Sequence, residues 1–420
     1  MNILYVNKFF HLVGGVERYF LELDRLMRKK GHQTSLFYMQ HPLNNRSKWQ
    51  KYSVSQISFH DPGLTKRWRQ LARLFYSIEA RSKISALIEE TSPDIVHLHT
   101  IYHHLSPSII LAVKKRNLPL IQNLGDYHLV SANYNLFHNG AICEISQGGK
   151  FYKAFFHRCV KNSYYYSLVE SAEKYLQALL GWEKGLVDLF IVPSLFMKNK
   201  LLEYGLPENK ITCLPHFIDT GKYKYSGRQG SYLLYFGRLS EEKGLKFLLE
   251  VMKELPQIKL KIAGTGPEED NLKDFVRGHK LKNVTFLGFL EGQNLIKTIA
   301  GSLAVIVPSL WPEVFGMSVL EAYSLGKPVI AADSGALPEL VKDNRTGFLF
   351  KTADKEDILE KIKFLLNQPA LIKKMGKEAL KIAGEDYSPE LHYRKIMKIY
   401  GNFAAGKKLK GNFSPGKGFF

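Results

Sequence analysis

Cysteine is scarce in these 420 residues: Cys143, Cys159 and Cys213 are the only three. Their wide spacing argues against a disulfide scaffold and against a complete four-cysteine metal site. A reducing compartment is the expected setting. No stretch approaches the roughly 18 or more apolar residues of a membrane span. The opening MNILYVNKFF has neither a basic n-region nor a long apolar core, so no secretory signal is expected. The first strand–helix turn, HLVGGVER (11–18), lacks the full dinucleotide fingerprint, and no D-x-D metal motif follows a strand. Acidic residues are in deficit, with 39 Asp and Glu against 59 Lys and Arg, a net charge of +20. Such an excess favours contact with nucleic acid, anionic lipid or phosphorylated substrates, or serves solubility alone. No recognition helix or stacking-aromatic motif accompanies it, so nucleic acid is not an expected partner.

What the chain does contain is a globular share of hydrophobic residues, 45%, in a regular alternation of strand and helix patterns. Buried strands are predicted at 2–7, 33–39, 94–99, 118–124 and 188–194, with an amphipathic helix over about 16–30. The alternation restarts with strands at 232–237, 258–264, 284–289, 303–309 and 328–333 and helices at 243–255, 268–279 and 356–368. This rhythm predicts an α/β fold of two Rossmann-like domains with parallel sheets. The polar segment PHFIDTGKYKYSGRQG (215–230) reads as the linker between them. Residues 131–163, rich in Asn, Tyr, Phe and His, fit neither rhythm and read as a long insertion near the site.

Four groups of residues carry candidate chemistry. In WPEVFGMSVLEA (311–322), Glu313 precedes a helix predicted around Gly316 to Leu325, and Glu321 lies within it. A carboxylate can accept two hydrogen bonds from a ribose diol. The free N–H groups of a helix start can bind phosphate or sugar oxygens. In FGRLSEEKG (236–244), Arg238 and Lys243 follow a strand's carboxyl end, where ligands sit in open α/β sheets. Cations there suit a diphosphate that gains charge as a sugar leaves. In AGTGPEEDNL (263–272), Gly264 and Gly266 form a turn that lets backbone approach a ligand. Gly14 and Gly15 open the first helix.

These residues, in this order, resemble glycosyltransferase family 4, the retaining nucleotide-sugar transferases of GT-B fold. Glu313 and Glu321 match its E-x7-E motif, FGRLSEEKG its G-R-x-x-x-x-K-G block, Gly14–Gly15 its N-terminal glycine loop and ITCLPHFIDT its interdomain segment. The resemblance implies two Rossmann-like domains facing a cleft. It also implies a reaction in which a sugar passes, with retention, from a UDP- or GDP-linked donor to a saccharide or lipid-linked acceptor. No cofactor and no metal are implied. Arg238, Lys243 and Glu313 would act at the reacting centre: the two cations hold the diphosphate and stabilise the leaving group, and Glu313 holds sugar hydroxyls. Glu321 would bind the ribose, Phe315, Gly316 and Met317 would contact sugar or phosphate through their backbone, and the Gly14–Gly15 loop would close over the diphosphate. The implied division is 1–212 for an acceptor-side domain and 213–384 for a nucleotide-sugar-binding domain. A last helix over about 385–403 would pack back on the first domain, ahead of a disordered basic tail over 404–420.

The chain departs from the family pattern at one site. Many members carry His-Asp-Tyr after the fourth strand, whereas NLGDYH (123–128) puts Gly125 at the histidine position. Asp126 and Tyr127 match, and His128 either substitutes for the missing imidazole or is a surface loop residue. A degenerate protein that binds donor without turnover is therefore an alternative reading, as is a nucleotide-sugar epimerase of the same fold. Cys143 and Cys159 match cysteines of related sequences, and two thiols with His138 or His157 are the alternative to a metal-free chain. The segment TKRWRQLARLFYSIEARSK (65–83) sets Trp68, Leu71, Leu74, Phe75 and Ile78 at helical spacing among Lys66, Arg67, Arg69, Arg73 and Arg81. It is either an anionic-membrane helix or a helix packed on the sheet. The overall expectation is a cytoplasmic protein held peripherally at the inner face of the cell membrane.

Overall fold

The computed structural model describes residues 1–57, 72–223, 227 and 230–404. They divide into two compact units. The first comprises Met1–Asn135, Glu144–Leu214 and the chain from Tyr393 on; the second comprises Leu136–Cys143 and Pro215–His392.

The first unit is built on a six-stranded parallel sheet. Its strands are β1 (Asn2–Val6), β2 (Gln33–Phe37), β3 (Ile95–Leu98) and β4 (Leu120–Asn123), followed, after a short β5–β6 hairpin (Phe137–His138 and Ala141–Ile142), by β7 (Leu189–Val192) and β8 (Ile211–Cys213). The spatial order is β2-β1-β3-β4-β7-β8. The second unit repeats the scheme with β9 (Leu233–Phe236), β10 (Leu260–Ala263), β11 (Val284–Gly288), β12 (Ala304–Val307), β13 (Val329–Ala332) and β14 (Gly347–Phe350), in the order β11-β10-β9-β12-β13-β14. The central strands read as unbroken apolar runs because parallel strands covered by helices bury both faces: LFIV, LLYF, AVIV and VIAA are buried at every position. In each sheet the chain order reverses beside the first strand, between β1 and β3 and again between β9 and β12. Loops leaving the carboxyl ends of those strands splay apart and leave room for a ligand.

The final helix, Pro389–Ala404, begins in the second unit and completes the first. Tyr400 is fully buried, its hydroxyl 2.7 Å from His97 Nδ1 on β3 and 3.3 Å from the hydroxyl of Tyr5 on β1. Residues 405–420, and with them nearly all of the expected tail, lie outside the described residues.

Three expectations change on contact with the structure. The segment 215–230 is not a polar tether at its start. His216, Phe217 and Ile218 are buried, His216 against Phe315 and Phe217 against His392, and the Ile218 N–H donates to Tyr387 O at 2.9 Å. Three large side chains in a row outweigh the polarity of the residues after them. The continuous helix drawn through 65–83 is interrupted. Residues 72–75 are helical, and Ser77 then caps a new helix, Ile78–Thr91, by accepting from Ala80 N at 3.1 Å. Leu74 is buried while Ile78 is exposed, and Trp68, Leu71, Lys66, Arg67 and Arg69 lie outside the described residues. The insertion over 131–163, which fitted neither rhythm, holds the β5–β6 hairpin and a short helix, Tyr152–Phe156, and is followed by a long helix, Tyr164–Leu180, closed by Gly181 in the left-handed conformation.

Candidate active site

In the second unit, the residues singled out from the sequence gather at the carboxyl ends of β9, β10 and β12. Lys243 leaves β9 on a 3-10 turn, Glu241–Lys243, and Glu313 lies on the loop after β12, across the point where strand order reverses. Their side chains meet: Lys243 Nζ donates to Glu313 Oε1 at 2.7 Å, and Ser309 Oγ donates to the same oxygen at 2.6 Å. The Lys243 ammonium also sits 4.7 Å from the centre of the Trp311 ring. The Leu310 N–H donates to Glu242 O at 2.9 Å, tying the two loops together through the backbone. Arg238 is exposed beside this pair in sequence, and Glu321 is buried on the helix Met317–Ser324.

Burial pushes the Glu313 carboxyl upward, but the adjacent Lys243 charge and the hydrogen bonds from Lys243, Ser309 and Trp311 outweigh it and hold the group below its usual value. Glu313 is therefore an anion, held in place before any ligand arrives. A fixed carboxylate can accept hydroxyl hydrogens, and the ammonium that neutralises it keeps 22% of its side chain exposed. A phosphate reaching Lys243 would share a cation already partly desolvated, which strengthens the contact.

The glycines have distinct reasons. Gly316 caps the helix Met317–Ser324 at φ +126°, a conformation L side chains rarely adopt, and a Cβ there would press on Leu337 and Leu340. No side chain caps this helix, so its first N–H groups are not covered by one. The Phe315 ring is buried against His216 and Tyr387, which leaves its backbone as the part available to a ligand. Gly264 and Gly266 are required by the loop after β9: a Cβ would come within 1.8 Å of Gly237 O and 2.2 Å of Leu239 O. Leu239 N donates to Thr265 O at 2.9 Å, so the two loops form one backbone platform.

In the first unit, Gly14 precedes the helix Gly15–Lys29 in extended conformation, and a Cβ on it would meet only Glu17 Oε2 at 3.7 Å. Its smallness is not demanded by packing. Gly125 is different, because a Cβ there would lie 2.4 Å from Val16 Cγ2 on that helix. Tyr127 is fully buried, and its N–H donates to Tyr134 O. His128 is not a surface loop residue. It is fully buried, its ring stacked 3.6 Å from that of Tyr102 and its Nδ1 3.0 Å from Lys174 Nζ. The Asp126 carboxyl is pushed up to about 6, chiefly by burial.

Sequence reasoning missed the groups around His128. His103, on the loop after β3, lies 2.7 Å from Glu170 Oε1 through its Nε2, and Glu170, Glu173 and Lys174 project from the helix Tyr164–Leu180. Burial raises Glu170 to about 7 and Glu173 to about 8, and lowers His103 to about 3. The sequence did hold a signal, the repeated histidines of HLHTIYHH (97–104) facing a helix with carboxylates at i and i+3. Among the described residues neither Cys143 nor Cys159 joins a group of side chains close enough to share an ion.

Comparison with known proteins bears on both units. A family model described as Glycosyltransferase Family 4 matches residues 13–222, and one described as Glycosyl transferases group 1 matches residues 226–382. The sulfoquinovosyl transferase of Arabidopsis thaliana is 31% identical over 243 residues, covering 51% of this chain and 47% of its own. A glycogen synthase of Mycobacterium tuberculosis is 28% identical over 222 residues, 50% of this chain and 53% of its own. The chain thus spans about half the length of these curated relatives. Among solved structures, sucrose-phosphate synthase from Thermosynechococcus elongatus superposes with a TM-score of 0.72 at 17% identity, covering 97% of this chain and all of that one. Anabaena Alr3699/HepE in complex with UDP-glucose gives 0.68 at 17% identity, over 96% of this chain and 100% of that one. At that identity the likeness is one of fold.

Proposed function

Because the chain belongs to glycosyltransferase family 4 and has the GT-B fold, we propose that it transfers a sugar, with retention of configuration, from a nucleoside-diphosphate donor to a saccharide or lipid-linked acceptor. The observation that carries the reading is the Lys243–Glu313 pair at the strand-order reversal of the second sheet. It offers an anion for the sugar's hydroxyls next to a cation for the departing diphosphate. With Arg238, Lys243 would neutralise charge as the glycosidic bond to phosphate lengthens, which lowers the barrier without any covalent intermediate. The phosphate leaves on the face the acceptor approaches and can take its proton, so the protein's work is positioning and electrostatics. Glu313 has no role as a nucleophile in this scheme: an oxygen already bound by Lys243 and Ser309 is a poor one. Glu321 would hold the ribose, and the helix start at Phe315, Gly316 and Met317 would hold sugar or phosphate oxygens. No cofactor takes part in this chemistry.

The acceptor side is assigned to the first unit, through Asp126 and His128. Work at an anionic membrane face, the inner leaflet of the cell membrane, fits two features. The net charge is +20, and the segment 152–180 exposes Phe156, Leu168 and Leu179 beside Lys153, Arg158 and Lys161. Among the described residues no helix is long and apolar enough to cross a membrane.

Binding of UDP- and GDP-sugars by the purified chain, then mass spectrometry and anomer analysis of products formed with a cell-lipid extract, tests the reading. A product with the donor's anomeric configuration supports it. An inverted product, or an epimerised donor without acceptor, overturns it. Sedimentation with phosphatidylglycerol vesicles at low salt tests the membrane reading, and absence of binding overturns that part.

A further inference from the structure

The four side chains His103, His128, Glu170 and Glu173 can each offer one ligand atom to a common point, and these atoms all lie within 4.8 Å of one another. They come from the loop after β3, the loop after β4 and one face of the helix Tyr164–Leu180, all within the first unit. Three polar atoms of this set, His128 Nε2, Glu170 Oε2 and Glu173 Oε2, are buried with no hydrogen-bond partner. His128 Nε2 and Glu170 Oε2 face each other at 3.7 Å, too far for a hydrogen bond and close to the roughly 3.4 Å separation of ligands about 2.1 Å from a shared tetrahedral ion. Buried polar atoms left in this state are costly, and a bound ion is one of the few things that satisfies several at once.

We propose that His103, His128, Glu170 and Glu173 form a binding site for a borderline divalent transition-metal ion of the zinc type. Two imidazoles and two carboxylates are the mixed N/O set such ions take, whereas magnesium and calcium prefer oxygen alone. Charge also balances: two carboxylates neutralise the ion. The Lys174 ammonium, which now acts on Glu170 and Glu173 and lies 3.0 Å from His128 Nδ1, would release that nitrogen as it takes the imidazole proton, and would keep the carboxylates of Asp126 and Glu183 as counter-ions. Glu173 also lines a cavity bounded by Phe75, Pro107, Leu176 and Trp182. The ion would pin both loops to the helix and so fix the position of His128 beside Asp126. This runs against the expectation of a metal-free chain, which the family resemblance implied and the missing D-x-D motif supported.

The experiment uses the full, untagged chain, stripped with dipicolinate and titrated with zinc chloride and, separately, cobalt chloride. One equivalent of zinc, an intense visible spectrum of four-coordinate cobalt and an upward shift of the thermal midpoint are expected. Glu170→Gln with Glu173→Gln should weaken zinc binding by at least about a hundredfold, while His11→Gln, in the separate stacked His11–His41 pair, should leave it unchanged. Lys174→Met, which removes the competing cation, should tighten it. Because removing buried carboxylates can disturb folding, the cobalt spectrum of the unmodified chain decides independently. A pale six-coordinate spectrum, no stoichiometric uptake, or zinc lost equally with His11→Gln would overturn the proposal. None of these readouts depends on sugar transfer.

Discussion

Replacing Lys243 by Met separates the two jobs assigned to its ammonium. Glu313 is buried, and its Oε1 receives Lys243 at 2.7 Å and Ser309 at 2.6 Å. Breaking a buried ion pair costs about 3–5 kcal/mol because one charge is left uncompensated. Lys243 is partly exposed and Glu313 keeps its Ser309 bond, so Lys243→Met should cost less, about 2–3 kcal/mol. Glu313→Gln alone should cost about 1 kcal/mol, and the double variant Lys243→Met with Glu313→Gln, which leaves no stranded charge, also only about 1 kcal/mol, a coupling of about 2–3 kcal/mol. Urea midpoints for the four members of this cycle measure it. The sign with pH follows from Glu313 being held below its ordinary value. The pair's contribution is complete above the unfolded carboxyl value of about 4.3 and disappears as pH falls through the lower folded value. Activity should behave differently, with kcat/KM falling at least about a hundredfold in each single variant and in the double. If the double variant recovered activity together with stability, the pair would be structural and the donor-site reasoning would fail. A cost below about 0.5 kcal/mol for Lys243→Met would refute the claim that the carboxylate is desolvated.

Gly14→Ala should change stability by less than about 0.5 kcal/mol, because its Cβ meets only Glu17 Oε2 at 3.7 Å; a raised donor KM with an unchanged thermal midpoint would assign Gly14 to the ligand. Gly264→Ala should do the reverse, with a Cβ 1.8 Å from Gly237 O costing several kcal/mol or soluble expression; a normal midpoint would contradict the packing. Gly125→His should destabilise by about 1–3 kcal/mol through Val16 and be relieved by Val16→Ala, as read from midpoints of the single and double variants. Burial lowers His216 to about 3, so the folded state resists a proton that the unfolded state accepts below about 6.5. Stability should fall with acidification by up to about 1.4 kcal/mol per pH unit from this group, and His216→Gln should flatten the curve between pH 6.5 and 4.

Five of the six strands of each sheet were legible in the sequence, because parallel strands buried on both faces leave apolar runs; the short edge strands β8 and β14 were not. The helix Met317–Ser324 was legible too, within a residue at each end, from the glycine before it. The helix Tyr164–Leu180 was not, for a physical reason: Tyr164, Leu168 and Leu179 face outward while Glu170, Glu173 and Lys174 are buried. Its polarity is inverted relative to the pattern by which helices are recognised. Lys243 and Glu313 were each singled out, but not as bonded partners, since 70 residues separate them and only strand order brings their loops together. Gly264 and Gly266 were read as making room for a ligand, and the atoms they make room for are carbonyls of the neighbouring loop.

The path of the last helix sets an order of events during synthesis. Tyr393, beside His32, and Tyr400, beside His97 and Tyr5, belong to the unit whose sheet is made before Pro215–His392. That unit must wait through the making of Pro215–His392 with a gap where Tyr400 will fit, while the second unit can close around its own sheet first. Domains usually mature from the N-terminus as they emerge. Of these two units the one begun earlier is finished later, and a nascent chain stalled before residue 393 would present an incomplete core to chaperones and proteases.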